Sequence, residues 1–390
     1  MQNISTLKQT GIALAIAQAV AVNVSFAATI TVDNNGDADS GCTFREAITT
    51  INQGSNQFNG CSIQGTLGNN DVVQFDNSLS AISLTSGSVL VSSDMSINPD
   101  GGGVAIVGNR TDRLLEITNA NVSIDRVTLL GGSVNSYGGG IYARTSSVAV
   151  TNSTIAGNIA TTGGGIHVNS STVSVVNSTI SGNSTNNSLG FGGGIAVFGG
   201  TSSLELTNST ITGNSSDGDG GGLSAFGARQ VSLRNSLITG NSAGSIYRGN
   251  ELYLYGNTIV SLRNNLLGDS SQTTERAFYG TQPSSTINII ATSNGNAPTP
   301  IASILAPFGN NGGPTQTHGL VENSPAIDAG DDLICAEAQV NNLDQRGVPR
   351  PVGPSCDIGS FEGVVEPQAL SDSDLFVVPL PNGNAVIFSL

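Results

Sequence analysis

Three features of the sequence predict an all-β fold, a right-handed parallel β-helix with a short N-terminal capping helix. Gly-rich and Asn-rich blocks recur along the middle of the chain, apolar residues alternate with polar ones inside each recurrence, and helix formers give way to Gly, Ser, Thr, Asn and Val. Of the 390 residues 51 are Gly, and only 11% are charged. Charge that sparse does not mark a disordered chain, and Gly without a three-residue period is not collagen. A formal charge of -15 opposes partnership with nucleic acid, whose affinity rests on cationic contacts to phosphate.

Taken in chain order, residues 1–27 read as a signal peptide. Lys8 precedes an apolar stretch over residues 11–22, and Ser25-Phe26-Ala27 fits the small-x-small rule for cleavage after Ala27. That stretch is too short to span a bilayer, so the chain is expected to be exported, to the cell surface, the outer membrane or the medium. Cleavage removes Lys8, the only lysine, and leaves 12 Arg against 28 acids, a net charge of -16. Residues 28–100 read as an N-terminal cap and first turns. Thr43 with Glu46 three residues on is a capping-box pattern that opens a short helix. Residues 72–75, 82–84 and 89–91 have the length and alternation of early strands. Four cysteines allow three connectivities; an oxidising destination and their placement at opposite ends of the chain predict the local pairs Cys42–Cys61 and Cys335–Cys356. No Cys-x-x-Cys spacing supports a zinc site.

Residues 101–295 carry the repeats. Gly triplets at Gly138, Gly163, Gly192 and Gly220 are each followed 14 to 16 residues later by a block beginning at Asn152, Asn177, Asn208 or Asn235, of the form NSTIxGN or NSLITGN. The period is 25 to 31 residues. Three strand positions recur in each unit, marked by Ile141 and Ala143, by Val148 and Val150, and by Ile155 in the first. One such coil cannot bury its inward face, but stacked coils can, each resting on the next at about 4.8 Å. Parallel crossovers take the right hand. Val122, Ile124 and Leu129 reproduce the pattern upstream, with Arg126 in the place of the Asn, and Leu252, Leu254 and Asn257 begin another unit downstream. Gly and Asn suit turns that need positive φ. Asn152, Asn177, Asn208 and Asn235 are expected to stack in register, their amides bonding along the column as a ladder; this is preferred to a reading of the triplets as glycosylation sequons.

Two resemblances extend these readings. Cys42-Thr43-Phe44-Arg45-Glu46-Ala47-Ile48 closely resembles the CSLREAI motif of a family of exported bacterial β-helix proteins, with Thr43 and Phe44 in the places of Ser and Leu. The GGGI and NSTIxGN blocks are similar to the repeats of polymorphic outer-membrane proteins. Within residues 296–363, Asn310-Asn311-Gly312-Gly313-Pro314-Thr315-Gln316-Thr317-His318, Ser324-Pro325-Ala326-Ile327-Asp328-Ala329-Gly330, Asp344-Gln345-Arg346-Gly347 and Cys356-Asp357-Ile358-Gly359 resemble the choice-of-anchor Q domain. That likeness implies an anchoring segment after it, so residues 364–390 read as a tail whose last stretch, Leu375 to Leu390, alternates around Pro381-Asn382-Gly383-Asn384 and is expected to form a hairpin for sorting, for anchoring to the cell envelope or for packing on the body.

Chemistry is harder to find. The local candidate for polysaccharide hydrolysis or elimination is Asp217 with Asp219, converging with an Arg such as Arg144, although Asp-Gly pairs are ordinary turn chemistry. No organic cofactor is expected. Asp33, Asp37 and Asp39 offer oxygen ligands to calcium, but they do not complete an EF-hand loop. His167 falls between inward Ile166 and Val168 and is expected on the surface, beside Tyr142 and Ala196 of neighbouring turns; His318 is expected to make a structural hydrogen bond. The outward set Ala149, Ser174 and Ser232, interrupted by Glu205, leads us to expect small polar outward positions. The sequence therefore favours a non-catalytic surface for adhesion or structural contact, with a carbohydrate or another surface as partner, over a calcium-assisted polysaccharide lyase or hydrolase.

Overall fold

The computed structural model describes residues 27–37, 41–58, 60–244 and 249–364, together with the backbone of two paired strands, Leu375–Pro379 and Ala385–Ser389. The leader before Ala27, Asp39 and the turn at 381–384 lie outside the described residues.

Each of the five central coils is a rectangle of four strands. In one of them Ile141–Arg144, Ser147–Thr151, Thr154–Ala156 and Ile159–Thr162 follow one another, and each pairs in parallel with its counterpart one coil on. The strands stack into sheets of eight, ten, nine and five strands, called here A, B, C and D in coil order. The sequence marks three of these sides and misses D. After the first, its short strands are built mostly from Ser, Thr and Ala with little aliphatic signal, and they read as polar spacers. The early strands fall where expected, and one more, Thr29–Val32, joins sheet B ahead of them.

The core is the set of inward columns. Val150, Val175, Leu206 and Leu233 lie in register in sheet B and are fully buried, as are Ile155, Ile180, Ile211 and Ile238 in sheet C. Each such side chain contributes roughly 1.5–3 kcal/mol of burial before chain entropy is charged against it.

Four sharp corners per coil require left-handed residues. The corner between B and C uses Asn152, Asn177, Asn208 and Asn235 at φ 45–49°, with Arg126 taking the same conformation at φ 54°. The Gly triplet serves three separate needs. Gly163 has φ 68°; a Cβ on Gly164 would lie 2.4 Å from the Ser184 carbonyl oxygen of sheet D; and one on Gly165 would lie 2.6 Å from the Gly194 carbonyl oxygen. Only bare backbone lets sheet D approach the start of sheet A so closely.

The amide ladder exists, but on other residues. Asn152, Asn177, Asn208 and Asn235 turn their side chains outward, where the amides donate to Asp125 Oδ1, the Leu343 carbonyl, Cys335 Sγ and the Asp331 carbonyl respectively. The ladder runs through the last Asn of each block. Asn158 Nδ2 donates to Asn183 Oδ1, Asn183 to Asn214 and Asn214 to Asn241, each at 2.9 Å. These residues follow the Gly of the corner between C and D, so their side chains point inward. Each Oδ1 also accepts the backbone N–H of the preceding Asn, and each Nδ2 also donates to a strand carbonyl in sheet C, such as Ile155 from Asn183. A buried amide is tolerated only when its donors and acceptor are used this fully. A parallel file of hydroxyls, Ser153, Ser178, Ser209 and Ser236, accepts backbone N–H groups at the corner between B and C.

The N-terminal end is closed by a helix, and the C-terminal region covers one side. Helix α1 (Phe44–Gln53) carries the predicted capping box between Thr43 and Glu46 and ends at Gly54, φ 62°. It packs Phe44, Ala47, Ile48 and Ile51 onto the first coils. Residues 296–364 run back over the outer face of sheet C, where Leu237, Leu266, Ile304, Leu305, Leu320, Ile358 and Phe361 form a second core. The predicted disulfides are present, with sequence separations of 19 and 21. Loops of that length contribute roughly 3 kcal/mol each. Reduction is expected to speed amide hydrogen exchange around α1 and residues 331–357 while the central coils stay protected. Equal acceleration throughout would contradict this.

Candidate functional site on the outer face of sheet A

Half of the outward positions of sheet A are aromatic, and they cluster. Tyr142, His167, Tyr253 and Tyr279 stand in one column with Ala196 and Ser224 between them, and Phe198, Phe226 and Tyr255 stand in the next. Tyr137 and Phe191 reach over from the preceding corner. Neighbouring ring centroids are 4.6–6.2 Å apart from Tyr137 through His167, Phe198, Phe226 and Tyr255 to Tyr279. The strip crosses six strands, about 24 Å at the usual strand spacing. It gathers five of the chain's 6 Tyr, so the aromatics are concentrated on one face of an otherwise Ser- and Thr-rich surface.

Some rings make the floor and others meet solvent. His167 is only 3% exposed, because Tyr137 and Phe198 cover it. This corrects the surface reading: alternation does turn the side chain outward beside Tyr142 and Ala196, but larger neighbours bury it. Burial, then the nearby Arg113 charge, holds the imidazole down at about 3, and a bond with the Thr162 backbone opposes them weakly. Small Ala196 and Ser224 leave a dip that Phe191 fills, touching Phe198 and Tyr253. Tyr137, Phe226 and Tyr255 are 45%, 44% and 46% exposed. The polar margin is thin. Arg113 lies 5.0 Å from the Tyr142 ring centre and pairs with Glu116. Burial, then the Asp219 charge, pushes the Tyr253 hydroxyl up to about 12.

The predicted acids do not assemble with Arg144. Asp217 is exposed at the corner leading into sheet A, and its backbone N–H is held by Thr185 Oγ1. Asp219 is half-buried beside Phe191, two residues on. Arg144 is exposed at the opposite end of its strand, three strands earlier in sheet A, about 14 Å away by strand spacing alone. The calcium candidates are engaged elsewhere. Asp33 accepts the Cys42 N–H, and Asp37 takes a two-pronged bond from Arg45 plus the N–H groups of Thr85 and Ser86. Burial raises the Asp37 carboxyl, but those donors outweigh it and leave it below the usual range. Among the described residues no three His, Cys, Asp or Glu side chains are grouped to hold a metal ion.

Two other surfaces differ from this strip. The set Ala149, Ser174, Glu205 and Ser232 forms one outward column of sheet B, flat and half-buried, so the small polar reading fits sheet B and fails on sheet A. A polar cleft of about 570 Å³ separates the corner between B and C from residues 339–347, but its charges are consumed internally, Arg126 by Asp125 and Arg346 by Asp344. His318 makes two bonds, to Ser181 Oγ and the Ala306 carbonyl, and burial holds it at about 4. The aromatic strip was legible in the repeat alignment itself: Tyr142, His167, Phe198, Phe226, Tyr253 and Tyr255 occupy the outward places of the strand that follows each Gly-rich corner.

The family model described as the right handed beta helix region matches residues 113–296. No curated protein matches the sequence. Among solved structures the chain is similar to the crystal structure of pectate lyase Pel9A, with a TM-score of 0.46 and 12% identity, covering 86% of this chain and 96% of that one. Sheet topology, register and the matched region together make this chain an all-β protein built as a right-handed parallel β-helix.

Proposed function

We propose that this is an exported, non-catalytic β-helix whose aromatic face on sheet A holds an extended, uncharged glycan, giving a rigid surface for adhesion or structural contact. The observation that carries the reading is the strip itself: three half-exposed rings, Tyr137, Phe226 and Tyr255, set along the solenoid axis on a floor of packed aromatics. Sugar rings present C–H faces that stack on such rings, and tyrosine tips add hydrogen bonds without adding charge. A polyuronate suits the face poorly, since the chain is strongly acidic and Arg113 is already paired with Glu116. Two disulfides agree with an oxidising destination, and the C-terminal hairpin is the proposed attachment to the envelope.

Truncating the exposed rings tests this. Phe226→Ala with Tyr255→Ala is expected to weaken binding to a neutral insoluble polysaccharide at least about tenfold while leaving the thermal midpoint nearly unchanged, because both rings lie outside the inward core. A panel of neutral and acidic polysaccharides, with and without calcium, supplies the comparison. Unaltered binding by the double variant would sink the assignment of the face. Release of reducing ends or unsaturated products, abolished by Asp217→Ala, would replace the non-catalytic reading with the enzymatic one.

A further inference from the structure

One carboxylate inside the solenoid stands in the wrong company. Asp71 occupies the sheet B column that continues through Met95, Val122, Val148 and Val173, all inward and apolar, and its own exposure is 0%. Its oxygens accept two backbone N–H groups, Ala28 N at 2.7 Å and Gly68 N at 3.0 Å. No ion pair with Asp71 is present among the described residues. A buried carboxylate without a cation is costly, and an aliphatic residue would complete the column without that cost.

Ala28 is the residue that follows the expected leader cleavage site, and it is itself fully buried. Hydrolysis of the Ala27–Ala28 peptide bond adds water across it. The hydroxyl leaves with the Ala27 carboxyl, and the new amine of Ala28 takes up a proton. We propose that Asp71 is the built-in counter-ion for this α-ammonium group, so that leader removal completes a buried ion pair at the first coil. The nitrogen already lies at hydrogen-bond distance in the peptide form, and processing turns a neutral donor into a charged one at the same place. Parallel pairing of Thr29–Val32 with Asp71–Phe75 holds the two partners together, and Cys42–Cys61 ties down the cap beside them. The first coil of the precursor therefore lacks its counter-charge until export, which links full stability to arrival outside. This inference rests on the export reading above and is independent of the glycan face.

The mature chain offers a clean test, because loss of Lys8 leaves the α-amine as its only amine. N-terminal sequencing of the exported protein is expected to begin at Ala28; any other start overturns the cleavage assignment, and the pairing with it. With that start established, an amine-acetylating reagent is expected to label the native protein at least about a hundredfold more slowly than the denaturant-unfolded protein. Protein acetylated while unfolded and then refolded is expected to show an unfolding equilibrium constant shifted by about a hundredfold. Asp71→Asn is expected to shift it comparably, and acetylation of that variant to add little more, since both remove the same interaction. Labelling of the native amine as fast as in unfolded chain, or fully additive effects, would overturn the ion pair while leaving the export reading standing. The labelling rate is read on unsubstituted protein, so the test survives if Asp71→Asn does not fold.

Discussion

Asn214→Ala is expected to lower stability by about 3–5 kcal/mol, more than any surface change in the chain. The side chain is the middle rung of the buried ladder. Its Oδ1 accepts both the N–H and the amide of Asn183, and its Nδ2 donates to Asn241 Oδ1, the Ile180 carbonyl and the Thr212 carbonyl. Alanine leaves two donors of Asn183 and the Ile180 carbonyl without that partner in a region from which water is excluded, at roughly 1–3 kcal/mol each, partly relieved by local relaxation. The neighbouring corner residue provides the contrast. Asn152 holds φ 49° and makes an outward bond to Asp125, so Asn152→Gly keeps the corner and is expected to change stability by less than about 1 kcal/mol. Urea unfolding of the two variants checks the difference. Equal losses would mean that the inner amides are not a structural column.

Stability is expected to peak between about pH 6 and 7 and to fall on both sides, for two separate reasons. The ladder ends on Glu251, fully buried, which accepts from Asn241 Nδ2 at 2.6 Å and Gln272 Nε2 at 2.5 Å. Burial pushes this carboxyl up to about 8; the Asn241 donor works against that, Asp269 reinforces it, and burial wins. A carboxyl whose folded value lies above its unfolded value of about 4.5 stabilises the fold while protonated. That contribution is complete below 4.5 and is lost as pH rises toward 8. His167 and His318 act with opposite sign. Held neutral at about 3 and about 4 by burial, they stabilise fully above 6.5, and that contribution is lost as pH falls. The two histidines outweigh Glu251 on the acid side, and Glu251 contributes a falling limb between about pH 6.5 and 8. That limb amounts to about 2 kcal/mol at most up to pH 8. Glu251→Gln is expected to flatten it and to spare the acid limb, since Gln272 Oε1 is unpartnered and a rotated Gln272 can accept from the new amide. Denaturation midpoints of both proteins across pH 4–9 make the comparison. Parallel curves above pH 6.5 would exclude Glu251 as the titrating group.

What was legible and what was not follows from which signals repeat. Alternating aliphatics at a fixed phase have one solution, stacked coils, so the inward columns of sheets A, B and C were readable residue by residue. Sheet D was not, because a strand of Ser, Thr and Ala carries no hydrophobic period and its place is enforced by the Gly triplet it presses against. The ladder was assigned to the wrong Asn for a related reason. Both Asn of each block recur at the same phase, but the first is itself the left-handed corner residue and turns outward, whereas the last follows a left-handed Gly and turns inward. The aromatic strip was present in the alignment, but its rings are distributed over two outward columns and a corner, and they become one surface only when coils stack.

Residue order by itself determined the solenoid, its capping helix, its local disulfides and the left-handed corners, because each depends on spacing within one or two coils. The return of residues 296–364 over sheet C, the burial of His167 and the separation of Asp217 and Asp219 from Arg144 were decided by tertiary structure alone. Those outcomes depend on which side chains from distant coils compete for the same outer face, and a linear pattern holds no term for that competition.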